Sequence, residues 1–206
     1  MQDGLLPLFP LQVVLLPGAQ LPLHIFEPRY REMIADVRAS EREFGVVLAN
    51  DKGIANVGCT ATIESVLKEY PDGRLDIMTV GRRRFEVSIL NQNKSYLRAT
   101  VDFFDDTVDD SMGVTPEVAE AAIHAYRQIS GDMTAELSPR NLSFRIASCI
   151  TELEVKQQIL QLRSEVERMK RLAEYLPQHA LREKHNKTVK DAAPKNGHSK
   201  VLKVVS

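Results

Sequence analysis

The chain has 206 residues, 43% hydrophobic, 27% charged and 6% aromatic, with 10 glycines and 10 prolines; the length fits one large or two small domains, and the balance excludes collagen-like, wholly disordered and membrane-bundle classes. A formal net charge of −1 also excludes a polycation built to coat nucleic acid. Residues 182–206 carry seven basic side chains against two acids, a local +5 that leaves the preceding body at −6.

Gly4 to Leu23 holds no charged residue, but Pro7, Pro10, Pro17 and Pro22 interrupt it. Each proline removes a helical hydrogen bond, and no positive leader precedes the run. It is expected to be neither a membrane span nor an export signal but extended chain buried in the fold. Leu8–Leu11 and Val13–Leu16 read as short strands, with a turn at Pro17-Gly18. Pro28 fits the first position of a helix. Tyr30, Met33, Ile34 and Val37 follow at helical spacing, which predicts an amphipathic helix over 28–38. Phe44–Ala49 is a compact apolar run, the mark of a strand buried on both faces. Cys59–Val66 and Arg74–Val80 read as a hairpin joined at Pro71-Asp72-Gly73, and Gly81 marks a bend or bulge. Phe85, Val87 and Ile89, and then Leu97, Ala99, Val101 and Phe103, alternate with polar residues as half-buried strands do. Cys59 and Cys149 are too few and too far apart for a disulfide framework or a zinc site. Both read as buried small hydrophobes of a chain kept in a reducing, cytoplasmic setting.

Past Phe104 the period changes. Asp105, Asp106, Asp109 and Asp110 mark 105–114 as an acidic linker. They lack the glycine and terminal glutamate of a calcium loop, so they read as a solvated loop and not as a metal site. Thr115-Pro116-Glu117 starts a helix whose stripe is Val118, Ala122, Ala125 and Ile129, ended by Gly131. Ser138-Pro139 opens a second helix through Leu142, Ile146 and Ala147. Thr151-x-x-Glu154 has the form of a capping box. After it, Val155, Ile159, Leu162, Val166, Met169, Ala173 and Leu176 predict one long helix stopped by Pro177. The residues thus give an all-β unit over 1–104 with one small helix, and a helical unit over 115–178. The basic remainder, 179–206, has too little to bury and is expected to be disordered.

The usual catalytic signatures are absent. There is no phosphate-binding Gly-Lys-Ser/Thr loop, Gly-x-Ser-x-Gly elbow, His-Glu-x-x-His helix or Cys-x-x-Cys pair. Three features rise above the background. His24, Glu27, Arg29 and Tyr30 cluster within a few residues and suggest a small polar site at the barrel mouth, unless they only pair and pack locally. Arg82, Arg83 and Arg84 suit phosphate or carboxylate, unless they pair with acids such as Asp76, Glu86 or Glu27. The apolar N-terminal stretch suggests that part of it stays exposed as a groove lined by some of Leu11, Val13, Leu15, Leu21 and Phe26, as a binder of extended chain requires.

Several motifs recur in one order: Leu8-Phe9-Pro10-Leu11, Leu16-Pro17-Gly18, the run from Leu21 to Tyr30, Gly45-Val46-Val47, Val57-Gly58-Cys59, Asp72-Gly73-Arg74 and Gly81-x-Arg83-Arg84-Phe85. Together they resemble the N-terminal substrate-binding domain of Lon proteases, over about 5–178. Related domains occur in stand-alone bacterial proteins and in cereblon. The resemblance implies a PUA-like β pseudo-barrel with one short helix, followed by an all-α bundle with a long C-terminal helix, an α+β protein. It also implies recognition of unfolded or extended protein segments, or an adaptor role beside a protease. Neither the ATPase nor the Ser-Lys peptidase module of Lon is found in these 206 residues, so neither catalysis nor a cofactor is carried over. An RNA- or nucleobase-binding PUA-like module is the alternative, which the acidic body opposes. Leu160, Leu172 and Leu181, if left over from the bundle, would favour a homodimer.

Overall fold

The computed structural model describes residues 4–107, 114–130 and 142–177. Six strands form one sheet: β1 (Leu6–Leu11), β2 (Gln20–Ile25), β3 (Phe44–Asn50), β4 (Gly53–Glu69), β5 (Leu75–Asn91) and β6 (Arg98–Phe104). Helix α1 (Pro28–Ser40) lies between β2 and β3, and α2 (Pro116–Ser130), α3 (Leu142–Ser148) and α4 (Leu153–Gln161) follow the sheet. A further helix, α5, spans 165–177. The strand order is β2-β5-β4-β3-β1-β6, and an additional β5–β6 pairing closes five strands into a ring. Only β2 lies outside the ring, as an edge strand on β5. β1 and β3 run parallel, with Leu8 opposite Gly45, and the other pairs are antiparallel.

The ring is small, and two glycines make its filling possible. Leu8, Val47, Phe85 and Ala99 form its buried interior. The Phe85 ring lies where side chains at Gly45 or Gly58 would sit: a Cβ at either position would come 2.6 Å from Phe85 Cζ. Alternation along the strands turns Phe9, Val46, Cys59 and Ala61 to the other face. There they join one larger core with Met33, Ile34 and Val37 of α1, and with Phe144, Ile146, Ile159, Leu160, Met169 and Leu172 of the later helices. The α1 stripe therefore buries the four residues its spacing predicts.

Four expectations need correction or refinement. Val13–Leu16 is no strand. It is a loop that buries Val14, Leu15 and Leu16. The loop presses on β5 instead of pairing, so that a Cβ at Gly81 would stand 2.2 Å from the Leu16 carbonyl oxygen. Gly81 exchanges backbone hydrogen bonds with Gly18 and Ala19 at 2.9 Å. Second, of the bend or bulge expected at Gly81 the structure has the bulge: β5 runs unbroken through Gly81, and the next two residues, Arg82 and Arg83, face the single residue Thr60, whose hydroxyl accepts from the Arg83 N–H at 3.0 Å.

Third, the long helix is two helices. Leu162 leaves helical geometry (φ −64°, ψ 134°), and the Ser164 hydroxyl accepts from the Glu167 N–H at 3.1 Å, capping α5. The apolar period continues across the break, so spacing alone hides it. The capping box is not formed either: Thr151 bonds the Glu152 carboxylate, and Glu152 occupies the cap without a side-chain bond. Fourth, Leu160 and Leu172 are core residues and not surplus apolar surface; Leu181 falls outside the described residues. Of the cysteines, Cys59 is buried and Cys149 half-buried. No helix among the described residues is long and apolar enough to cross a membrane.

Candidate functional site

The three consecutive arginines take three different positions. The bulge breaks the strand's alternation, so Arg82 and Arg83 both face solvent while Arg84 turns inward and is 5% exposed. Arg82 donates to the Thr62 hydroxyl at 2.9 Å. Arg83 grips the Glu43 carboxylate through Nε and Nη2 at 3.2 and 3.1 Å and lies 3.9 Å from the Phe103 ring centre. None of the expected partners, Asp76, Glu86 or Glu27, is used by this trio in these bonds.

Arg84 joins a buried charge network between the barrel and the helices. Its Nη2 donates to Asp106 Oδ1 at 2.5 Å and its Nη1 to the Leu162 carbonyl at 2.5 Å. Arg168 of α5 is 0% exposed. It donates to both Asp106 oxygens at 2.7 and 2.5 Å, to Glu165 at 2.6 Å, to the Ser143 hydroxyl at 2.8 Å and to the Leu162 carbonyl at 2.9 Å. The Phe144 ring lies 4.4 Å from the Arg168 guanidinium carbon. Burial works against the Asp106 carboxylate, but the hydrogen bonds and charges of Arg168 and Arg84 outweigh it and hold the carboxyl below its ordinary value. Asp106 was expected in a solvated acidic linker; it is instead the acid two buried arginines share. Nothing in four similar aspartates marks it. Asp109 and Asp110 lie outside the described residues, and no cluster suited to a metal ion is found among the described ones.

The N-terminal candidates divide into two groups. On the outer face of β2, His24 Nδ1 lies 2.5 Å from Asp76 Oδ1, and the Tyr70 hydroxyl donates to Asp76 Oδ2 at 2.9 Å. Bonds from His24 and Tyr70 hold the Asp76 carboxyl below its ordinary value. Phe26 stacks on His24 with ring centres 5.7 Å apart and is 57% exposed. Lys68 and Arg74 lie over the Tyr70 ring. At the start of α1, Glu27 pairs with Arg29 at 2.9 Å. Tyr30 is buried against Phe9, ring centres 4.1 Å apart, and burial pushes its hydroxyl up. His24 therefore belongs with Asp76 and Tyr70, not with Glu27, Arg29 and Tyr30. Of the apolar candidates, Leu15 is buried, and Leu11, Val13 and Leu21 are half-buried against the core, which leaves Phe26 as the exposed member.

Arg29 and Tyr30 do line an open cleft of about 390 Å³, whose far wall is Lys94 and Tyr96. Those two also meet Asp36, at 2.5 and 2.6 Å. Their bonds hold the Asp36 carboxyl down, and Asp36 in turn holds the Lys94 ammonium up. A second cleft, about 380 Å³, opens between the β3–β4 turn and α4. Sequence reading found neither Lys94 and Tyr96, which sit in a loop, nor Gln157, a polar residue buried in α4, because neither a loop position nor a lone buried polar residue carries a periodic signal.

A family model described as the ATP-dependent protease La (LON) substrate-binding domain matches residues 5–178. Lon protease of Parabacteroides distasonis is 30% identical over 152 residues, which is 68% of this chain and 18% of that protein. Protein cereblon of Xenopus tropicalis is 33% identical over 87 residues, 40% of this chain and 20% of that protein. The chain thus spans about a fifth of the curated relatives it matches. Among solved structures, a Lon N-terminal domain protein from Xanthomonas campestris superposes with a TM-score of 0.67 at 29% identity, covering 82% of this chain and 96% of that one. The N-terminal domain of a Mycobacterium avium complex Lon protease gives 0.63 at 17% identity, covering 85% and 100%, a likeness of fold.

Proposed function

The chain belongs to the Lon substrate-binding domain family, and from that premise we propose that it recognises extended or unfolded polypeptide without transforming it, or serves as a protease-associated adaptor, in the cytoplasm. The match across 5–178 carries the reading. The geometry supports it in two further ways. Phe26 is a large aromatic held outward beside the open edge of β2, where an added strand gains main-chain hydrogen bonds and an aromatic anchor gains area. Two of the charged candidates pair at the surface: Arg29 with Glu27 and Arg83 with Glu43. The last of these pairs also takes an arginine from the RNA-binding alternative. We further assign 1–104 to the barrel unit and 115–178 to the helical unit, with the recognition face on the former.

The test is fluorescence anisotropy of the full chain with a labelled, reduced and carboxymethylated model polypeptide. Binding is expected, and Phe26→Ser is expected to weaken it about tenfold, the loss typical of one aromatic anchor, while the melting temperature stays put. Absence of binding overturns the reading.

A further inference from the structure

Strand β4 outruns the ring. Its first part pairs with β3 as far as Ala61, which stands opposite Phe44. From Thr62 to Glu69 it pairs with β5 alone, and among the described residues no backbone group bonds its other edge. Residues 64–69 are all exposed, Val66 at 38% and Leu67 at 57%. An unpaired edge that carries exposed apolar side chains is a template for another strand.

Two bulges restrict which strand fits. One extra residue of β4 stands between Ile63 and Ser65, and another between Val66 and Lys68. The edge therefore bends twice within Ile63–Lys68, and a straight strand does not follow it. A second copy of this edge carries the same two bends. The faces follow from β5, where Leu75, Ile77 and Thr79 are buried while Asp76 and Met78 are half-buried. Ile63, Val66 and Glu69 stand opposite the buried three, and Ser65 and Lys68 opposite the other two. Glu64 shares the outer face with Lys68: it accepts from Gln20 Nε2 at 3.1 Å, and Gln20 is opposite the half-buried Val80.

Opposite residues of an antiparallel pair share a face. Two copies paired about Val66 meet that condition along the free stretch. Val66 meets the partner's Val66, Ile63 meets the partner's Glu69, and Glu64 meets the partner's Lys68. Centring the pair on Ser65 or Leu67 instead sets Val66 against Glu64 or Lys68, residues of the other face. The Val66 register also places opposite charges across from each other twice, once on each side of the centre. We infer that the chain forms a two-fold dimer by pairing residues 63–69 of β4 with the same residues of a second copy. Self-pairing of one patch is what an isologous interface requires. The two β2-β5-β4 arms then make one continuous sheet, with the β2 edges free at its ends, five strand spacings or about 24 Å apart. The inference stands apart from the polypeptide-recognition reading; together with it, the dimer offers one extended chain two recognition edges.

The experiment is analytical ultracentrifugation of the full chain from about 1 μM to 1 mM, joined to cysteine crosslinking. Wild type is expected to sediment as a dimer at the upper end. Glu64→Lys turns two attractive pairs into two like-charge pairs and is expected to weaken the dimer about tenfold. Val66→Cys reads the register. A residue on the two-fold axis meets itself with Cα atoms about 5 Å apart, within the span of a disulfide. At Leu67 the two copies are offset along the strand and stand about 8 Å apart, beyond that span. Mild oxidation is expected to link Val66→Cys into dimers, while Leu67→Cys and wild type, which keeps Cys59 and Cys149, stay unlinked. Both positions are exposed, and thermal melts check that the variants fold. A monomer at every concentration, a dimer unaffected by Glu64→Lys, or Leu67→Cys linking as readily as Val66→Cys refutes the interface. None of these outcomes bears on polypeptide binding, which the anisotropy assay reads separately.

Discussion

Replacing Asp106 by Asn tests the buried charge network most directly. The substitution keeps the size of the side chain and removes its charge. Arg168 at 0% exposure then retains Glu165 as its bonded counter-charge, Arg84 at 5% retains only the through-space charge of Asp105, and the new NH₂ faces guanidinium donors. Leaving buried charge uncompensated costs about 3–5 kcal/mol. Asp106 itself is 29% exposed, so water relieves part of this, and the lower end, about 3 kcal/mol, is expected. For a chain of this size that is a fall in melting temperature of roughly 6–12 °C. Urea unfolding should show the midpoint reduced at unchanged slope.

The pH dependence adds a signature that lost packing would not produce. The folded Asp106 carboxyl titrates below its ordinary 3.8, so the unfolded chain takes up this proton first. Its contribution is whole above about pH 5 and drains away as pH falls through the folded value. The gap in stability between wild type and Asp106→Asn is expected to be widest at neutral pH and to close in acid below pH 4. A variant as stable as wild type at pH 7, or a gap that persists undiminished to pH 2, refutes the account.

Three more outcomes follow from single positions. Gly81→Ala places a Cβ 2.2 Å from the Leu16 carbonyl oxygen, backbone that cannot rotate away, so urea midpoints should report at least the 1–3 kcal/mol or so of an overpacked core; a neutral result would mean that the 13–16 loop is not seated as described. His24→Ala removes the first cause of Asp76's lowered carboxyl, and carbon NMR should show that group titrating closer to 3.8, still held partly down by Tyr70. Burial pushes the Cys59 thiol up to about 12, so at pH 8 a thiol reagent should modify Cys149 ahead of Cys59, with Cys59 reacting only once denaturant is added; early labelling of Cys59 would contradict its burial.

The fold was legible where a residue's job is repetitive. The 3.6-residue period of Tyr30, Met33, Ile34 and Val37 reports one face against one core, and that helix formed as read. The two-residue period through Phe85 to Phe103 located the strands β5 and β6 but not their buried faces throughout: the register shifts between Val87 and Ile89, and Ile89 and Phe103 are exposed. The motif glycines were legible as punctuation but not in purpose. Gly45 and Gly58 make no turn; they are absent side chains that let Phe85 fill the ring. The failures arose where local pattern and tertiary demand disagree. Val13–Leu16 has strand composition, yet its backbone is seated on Gly81 and the Leu16 carbonyl accepts from the Ala19 N–H. Leu162 keeps the apolar rhythm of a helix, yet its carbonyl serves two arginines.

The site was less legible for a related reason. A polar residue's role depends on its partner, and partners here lie far apart in sequence: Arg84 and Arg168 on Asp106, His24 on Asp76, Arg83 on Glu43, Gln157 on Val57. Proximity in sequence grouped His24 with Glu27 and Tyr30, but strand pairing sets His24 directly opposite Asp76. Strand geometry lets at most two of three consecutive arginines share a face, and two do; which two is set by a one-residue bulge, which leaves Arg82 and Arg83 exposed and Arg84 buried. The His24 grouping comes from treating neighbours along the chain as neighbours in space. In a closed ring of long, bulged strands the register decides which polar groups meet, and register is fixed by the apolar face and the bulges rather than by the polar residues themselves. A substitution that shifts a bulge, such as Thr60→Val opposite Arg82 and Arg83, therefore bears on the charge network around Asp106 without touching any member of it.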